Sequence, residues 1–266
     1  MKRLVDEAAV FTRSIYLQYV ALFQWATIRG YIAYKVLLPV TQILFFVELG
    51  VYGTGRANAL YFALGNALQV TAQAGLYGVI STVGNEREFG TLPMLLASPA
   101  NRLVTFLSRA IVNVLDGIVT VLVGLGITVV VFGLDLHRAN VWLLGLCVLL
   151  ISLTTAGLGL LFGSLALIMR DAITIANVVY YLLLVLCGIN FPISRLPGAV
   201  QVISDGLPLT RGVEAARQAA AGASITQIGG LLAGELVVGV LYATCGYVLF
   251  RWLEAYARRG GLQDAY

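Results

Sequence analysis

The chain has 266 residues, of which 59% are hydrophobic and only 11% are charged, with a formal net charge of +4. Soluble domains carry about 25% charged residues, so these few charged side chains cannot cover a soluble domain of this size. The composition excludes soluble globular and disordered proteins and indicates an integral membrane protein.

The rare polar residue types exclude several kinds of site. One histidine, His137, cannot supply a multi-histidine metal site, and the cysteines lie far apart in apolar stretches that match no metal or redox spacing. Neither lysine, Lys2 or Lys35, follows a glycine, so no phosphate-binding loop of the form G-x-x-x-x-G-K-[ST] occurs. We predict a chain without catalytic residues, without a metal and without nucleic-acid binding. The three cysteines are Cys147, Cys187 and Cys245.

Residues 1–30 are predicted to form an amphipathic helix in the membrane interface. Apolar residues recur there at helical spacing, and aromatic rings of the kind that lie at headgroup depth follow them. An incompletely apolar first span is the alternative. The apolar positions are Leu4, Ala8, Phe11, Ile15 and Leu22, and the aromatic ones are Tyr16, Tyr19, Phe23 and Trp25.

Six later stretches each contain the roughly 20 mostly apolar residues that cross about 30 Å of hydrocarbon. Their length and continuous apolarity favour helices over barrel strands, which alternate every second residue. We therefore predict an all-α integral membrane protein with six transmembrane helices. The six stretches are 31–52, 59–83, 103–133, 141–168, 172–191 and 225–250.

The distribution of basic residues predicts the orientation of these spans. With both termini in the cytoplasm, 12 of the 17 Lys and Arg residues lie inside and five outside, as the positive-inside rule favours. The inner loops then face anionic lipid, which accounts for the positive net charge. We expect a multi-pass protein of the inner (plasma) membrane.

Residues 85–101 form the longest predicted cytoplasmic loop. Charged residues open it, apolar residues follow, and Pro99 ends the apolar run. This pattern predicts a short amphipathic helix docked against a cytoplasmic partner. A solvated surface loop is the alternative, but it would expose an apolar patch formed by Phe89, Met94, Leu95 and Leu96.

Residues 192–224 lie on the outer side in this topology and are too polar to span. Pro208 can open a helix that ends near Gly222, and Glu214 and Arg217 are close enough on it to pair. We predict a re-entrant segment of two short helices that dip into the outer leaflet. A plain extracellular loop is the alternative.

Three acidic residues, Glu48, Asp116 and Glu235, fall inside predicted spans. A charge near mid-bilayer costs at least about 2.5 kcal/mol, so each should face protein or water. They are candidates for a translocation path or a proton relay. Alternatively, they bond to a neighbouring helix or to a second copy of the chain, which is the role we favour. Arg109 lies two helical turns before Asp116 on the same face, so we expect the two side chains to interact through a water molecule.

Two segments resemble a known family. Residues 86–92 (Glu-Arg-Glu-Phe-Gly-Thr-Leu), followed by 95–99 and Arg102, resemble the cytoplasmic loop of ATP-binding-cassette (ABC) exporter permeases of the type-2 class. Residues 191–197 and 207–217 resemble the segment that precedes the last span in the same family. Together with the six spans and the interfacial helix, the resemblance covers nearly the whole chain.

This resemblance implies a half-size permease that dimerises with a second copy or a related chain. Two soluble ABC ATPase subunits would then bind ATP and Mg, since this chain has no nucleotide site. The loop would be the coupling helix, with the Arg170–Asp171 turn as a second, weaker contact. Pro93 departs from the polar residue of the family and shifts the helix start towards Thr91. The implied coupling residues are Glu86, Arg87, Glu88, Phe89, Gly90, Thr91, Leu92, Arg170 and Asp171.

The family exports drugs, lipids and lipid-linked glycans, so we expect an amphiphilic or lipid-like substrate. Residues 27–35 lack the Arg-Tyr pair that glycan exporters often carry before the first span, which favours the drug and lipid branch. A proton-gradient-driven transporter that uses the intramembrane carboxylates is the alternative. A membrane scaffold without a transport cycle is a third hypothesis.

Overall fold

The computed structural model describes residues 28–88, 102–133, 137–169 and 171–256, together with Arg13, Gly90, Met94 and Asp135. These residues form helices joined by turns and contain no strand, which confirms the predicted all-α fold. The α-helices are α1 (Ile28–Thr54), α2 (Ala59–Glu88), α3 (Arg102–Val130), α4 (Val141–Leu165), α5 (Ala172–Leu186), α6 (Gly198–Gly206), α7 (Thr210–Ala220) and α8 (Ile225–Tyr256).

Each predicted span overlaps one of these helices, but the predicted spans 103–133, 141–168 and 172–191 extend past the helix ends at Val130, Leu165 and Leu186. Four of the helices are both long and apolar enough to cross a membrane, so the chain is a multi-pass membrane protein. Their apolar parts are Arg29–Thr54 of α1, Ile111–Val130 of α3, Val141–Leu165 of α4 and Ile225–Tyr256 of α8. The other two predicted spans correspond to α2 and α5, so the count of six stays a prediction.

Helices α2 and α5 fall outside these four for different reasons. α5 has 15 residues, and a helix of that length reaches only about 22 Å. α2 has 30 residues, which is long enough, but it carries buried polar side chains such as Asn66 and Gln69. Helix α2 contacts α1, α3, α4, α5 and α7, and none of its residues 59–83 is exposed, so polar side chains on it are surrounded by protein and not by lipid.

Close backbone contacts hold α4 between α2 and α8. A Cβ placed on Gly246 of α8 would lie 2.7 Å from the backbone nitrogen of Leu161. A Cβ placed on Gly159 of α4 would lie 2.9 Å from the carbonyl oxygen of Gly75 in α2. Small residues at these crossings let the helix backbones approach, which is how helices associate in a membrane.

Residues 192–224 contain two short helices, α6 and α7, as predicted. The predicted pairing of Glu214 with Arg217 is wrong. Glu214 instead accepts a hydrogen bond from Gln218 Nε2 at 3.0 Å. Arg217 instead donates to the carbonyl groups that follow α5.

The predicted interfacial helix of residues 1–30 lies outside the described residues, except for Arg13 and residues 28–30, which begin α1. The helix itself, the position of the termini and the depth of the 192–224 segment in the bilayer stay predictions.

Candidate functional site

The predicted coupling residues lie at the end of α2 and just before α5. The backbone of Glu86, Arg87 and Glu88 forms the last turn of α2. Gly90 follows with a φ of +69°, a left-handed conformation that glycine adopts without steric cost. Helix α2 therefore ends at the predicted loop. Phe89, Thr91, Leu92 and Arg170 lie outside the described residues.

Asp171 caps the N-terminus of α5. One carboxylate oxygen accepts the Thr174 N–H at 3.0 Å, and the other accepts the Thr174 hydroxyl. Both hydrogen bonds lower the pKa of the exposed Asp171 carboxyl below its ordinary value, and the bond from the Thr174 side chain has the larger effect. The residue is thus an ionised helix cap, and its contact with an ATPase stays a prediction.

Asp116 forms an ion pair with Lys35 across the α1–α3 contact. Tyr31 donates to the same carboxylate, and Lys35 Nζ also donates to Thr120 Oγ1 at 2.8 Å. Sequence reasoning considered Arg109, whose side chain lies outside the described part of the chain, and missed Lys35. Lys35 could have been found, since it is the one basic residue within the predicted span 31–52.

Glu235 of α8 is completely buried and holds the start of α7. Its Oε1 accepts the Leu209 N–H at 2.7 Å, and its Oε2 accepts the Gly212 N–H at 3.0 Å. The Thr154 hydroxyl of α4 also donates to Oε1, at 2.7 Å. A carboxylate at a helix N-terminus meets unpaired N–H groups and the positive end of the helix dipole. One side chain thereby joins α4, α7 and α8.

The backbone at this junction is constrained. Leu209 has a φ of 85°, which a leucine rarely adopts. A Cβ on Gly212 would lie 2.5 Å from Ile151 Cγ1 and 3.4 Å from Glu235 Cδ, so no larger residue fits without a shift. The third predicted acid, Glu48, lies exposed on α1 and takes no part in the junction.

Arg217 forms the second attachment of the 192–224 segment. Its guanidinium lies 3.5 Å from the centroid of the Tyr61 ring of α2, in a cation–π contact. The same group donates to the carbonyl oxygens of Gly188 at 2.8 Å and Ile189 at 2.9 Å. The Tyr61 hydroxyl donates to Gly188 at 2.9 Å. The segment is thus tied to α2 and to the chain that follows α5.

A row of polar contacts, which we call the polar seam, joins α1 and α2 to α5 and the residues after it. Asn66 Nδ2 donates to Asn190 Oδ1 at 2.9 Å, and the Tyr77 hydroxyl donates to Asn177 Oδ1 at 2.5 Å. Gln42 donates to the Tyr180 hydroxyl at 2.7 Å. Sequence reasoning missed the seam, although polar residues recur along the predicted second span at helical spacing.

Several buried polar atoms near the seam have no hydrogen-bond partner in the described part of the chain, an uncommon state that calls for a ligand, water or movement. They are Asn66 Oδ1, Gln69 Nε2 and Oε1, Thr71 Oγ1 and Asn190 Nδ2. Within the described ranges, no group of three or more His, Cys, Asp or Glu side chains could hold a metal ion.

Comparison with protein families identifies the chain. The model of the ABC-2 type transporter family matches residues 12–220, which is most of the chain. The chain belongs to the ABC-2 type transporter family. Comparison with curated proteins gives no match.

The family assignment confirms the resemblance drawn from residues 86–102 and 191–217, since both segments lie inside the matched range. ABC-2 membrane domains are transport subunits that generally lack a nucleotide site and normally pair with an ATPase subunit. This ABC-2 permease therefore presents three elements: the α2 end with the predicted loop, the intramembrane ion pair, and the attached 192–224 segment.

Proposed function

We propose that this ABC-2 permease is the membrane-spanning subunit of an ATP-driven exporter. It moves an amphiphilic or lipid-like substrate (a drug, a lipid or a lipid-linked glycan) out of the cytoplasm or the inner leaflet. A separate ATPase subunit, expected in two copies, binds ATP and Mg, and a second permease chain completes the translocation path. The family match over residues 12–220 supports this assignment.

One observation carries the mechanism: α2 is an uninterrupted helix from Ala59 to Glu88. Tyr61 at one end holds Arg217 of α7, and Glu86 to Glu88 at the other end enter the predicted coupling loop. At 1.5 Å per residue, the helix is about 45 Å long.

Because α2 is continuous, a displacement of the coupling loop would reach the Tyr61–Arg217 contact as a movement of one rigid element. Closure of the ATPase dimer would move the loop and favour one of two helix arrangements, inward-facing or outward-facing. The 192–224 segment, attached to α2 through Arg217 and to α8 through Glu235, would follow this movement on the outer side.

Purification of the tagged chain from its native cells in a mild detergent, with mass spectrometry of the bound proteins, tests the proposal. We expect a near-stoichiometric soluble subunit that carries a phosphate-loop lysine. A chain that purifies alone, in a detergent that preserves comparable complexes, would contradict the borrowed-ATPase mechanism.

A proton-gradient-driven transporter is the second candidate, and the Lys35–Asp116 pair favours it because ionisable side chains within membrane spans mark ion pathways and proton relays. The two functions differ in their energy source. Collapse of the proton gradient with ATP supply intact should leave ATP-driven export unchanged. It should abolish gradient-driven transport.

A further inference from the structure

An open cavity of about 350 Å³ lies between the ends of α1 and α2 and the chain that follows α5. Its wall is mostly apolar and aromatic, with Phe46, Phe62 and Phe191 among the lining side chains. Polar residues line it nearer the loops that end α1 and follow α5, with Asn58 and Arg195. The cavity is thus amphipathic, with its polar side towards the end of the bundle.

The charge of the cavity favours an anionic ligand. Arg195 is exposed, and among the described residues its guanidinium forms no ion pair. None of the described side chains that line the cavity is acidic. An unpaired guanidinium at such a rim matches a phosphate, to which arginine donates two parallel hydrogen bonds.

Asn190 provides an independent observation that points to a ligand. This residue borders the cavity and is only 7% exposed. Its Oδ1 accepts a hydrogen bond from Asn66, but its Nδ2 has no partner among the residues that the structure describes. A buried donor in apolar surroundings is costly until it meets an acceptor. The cavity therefore offers one cationic donor at its rim and borders one buried amide whose hydrogen bonding is incomplete.

The neighbouring surface places the cavity near lipid headgroups. Tyr52, on the last turns of α1, is 93% exposed, and Phe191 beside the cavity is 52% exposed. Exposed aromatic rings at a helix end are typical of the membrane–water boundary.

We propose that the cavity binds one anionic phospholipid of the surrounding bilayer. Its phosphate accepts hydrogen bonds from Arg195, an ester carbonyl accepts one from Asn190 Nδ2, and part of an acyl chain lies against Phe46, Phe62 and Phe191. The cationic donor, the amide and the apolar rings match in chemistry the phosphate, the ester and the acyl chain of the lipid. The site does not depend on the proposed export function, because a folded but inactive chain would still bind the lipid.

Gly53 allows the cavity to be filled without a clash. It lines the cavity, and a Cβ placed on it meets no atom within 4 Å. Gly53→Leu therefore extends a side chain into the cavity and replaces a helical glycine by a better helix former. Gly126→Leu is the matched control, because Gly126 of α3 also has open space around it and does not line the cavity.

The experiment is native mass spectrometry of the purified full chain in detergent, with phosphatidylglycerol and phosphatidylcholine of identical acyl chains. We expect the wild type to retain more phosphatidylglycerol than phosphatidylcholine. Arg195→Gln should weaken phosphatidylglycerol binding roughly tenfold, the effect of one charge-assisted contact, and leave phosphatidylcholine unchanged. Gly53→Leu should lose both lipids, whereas Gly126→Leu and the exposed Arg138→Gln should bind as the wild type.

Equal phosphatidylglycerol binding by the wild type, Arg195→Gln and Gly53→Leu would overturn the proposal. Arg195 is a surface residue, so its variant reports on binding even if Gly53→Leu folds poorly. If the lipids do not bind and Gly53→Leu changes the monomer–dimer distribution, the cavity is an interface with a second copy and the lipid site is rejected. If the purified chain retains an exported amphiphile in the cavity instead of phospholipid, the lipid site is also rejected.

Discussion

The carboxylate of Glu235 satisfies three buried donors on two other elements. Glu235→Ala removes the acceptor for all three, and we expect a loss of about 3 kcal/mol or more of stability, since each unsatisfied donor costs about 1–3 kcal/mol. Glu235→Gln keeps one carbonyl acceptor and should lose less. Thermal unfolding of the purified chain in detergent measures both changes.

Glu48→Gln is the control, because Glu48 is exposed on α1. Its melting temperature should equal that of the wild type. A Glu235→Ala variant that melts with the wild type would show that the donors find other acceptors.

Asp171 makes a prediction about pH. The hydrogen bonds from Thr174 lower the pKa of Asp171 in the folded chain below the ordinary value of 3.8. The cap therefore stabilises α5 fully above the ordinary value, and this contribution is lost as the pH falls through the lowered value. Asp171→Asn should make stability depend less on pH in that acidic window, measured by thermal unfolding at several pH values. A variant whose stability depends on pH as steeply as that of the wild type would show that the cap does not contribute.

At the scale of elements, the α4–α8 contact depends on the absence of a side chain at Gly246. Its Cβ would meet backbone atoms of Leu161, which cannot rotate away. Gly246→Leu should therefore cost about 1–3 kcal/mol, as overpacking does, and lower the melting temperature. Gly230→Leu in the same helix is the matched control, since nothing lies within 4 Å of its Cβ. If the two variants have the same melting temperature, α8 can shift against α4 without loss of stability.

The end of α2 makes the prediction that concerns coupling. The combined variant Glu86→Gln, Arg87→Gln and Glu88→Gln removes the charges of its last turn. We expect normal membrane insertion, continued ATP hydrolysis by the partner subunit and loss of transport of a fluorescent amphiphile into inverted vesicles. Arg138→Gln, at the opposite end of the bundle, should transport normally. Coupled transport by the combined variant would remove these residues from the proposed coupling helix.

At the scale of the whole molecule, the enclosure of α2 explains why its composition differs from that of the other long helices. None of its residues 59–83 is exposed, so its buried Asn66 and Gln69 are surrounded by protein and not by lipid. An amino-acid sequence reports how apolar a segment is, but it does not report what surrounds the segment.

The described helices and the two short helices before the last span could be predicted because each depends on local composition. A bilayer requires about 20 apolar residues per crossing, and proline and polar residues end such runs. The family could be predicted for a similar reason, since its two motifs are short continuous stretches. The coupling residues of 85–101 stay predictions because most of them lie outside the described part of the chain.

The sequence by itself therefore determined the membrane class, the helices and the family. Only the tertiary structure decided the partners of the polar residues: Lys35 with Asp116, Arg217 with Tyr61, and Glu235 with the start of α7. The physical reason is separation along the chain. These contacts join residues that are 81, 156 and 26 positions apart, so they form only once the helices have packed. A buried charge shows in a sequence that a partner must exist, and the packing selects which one.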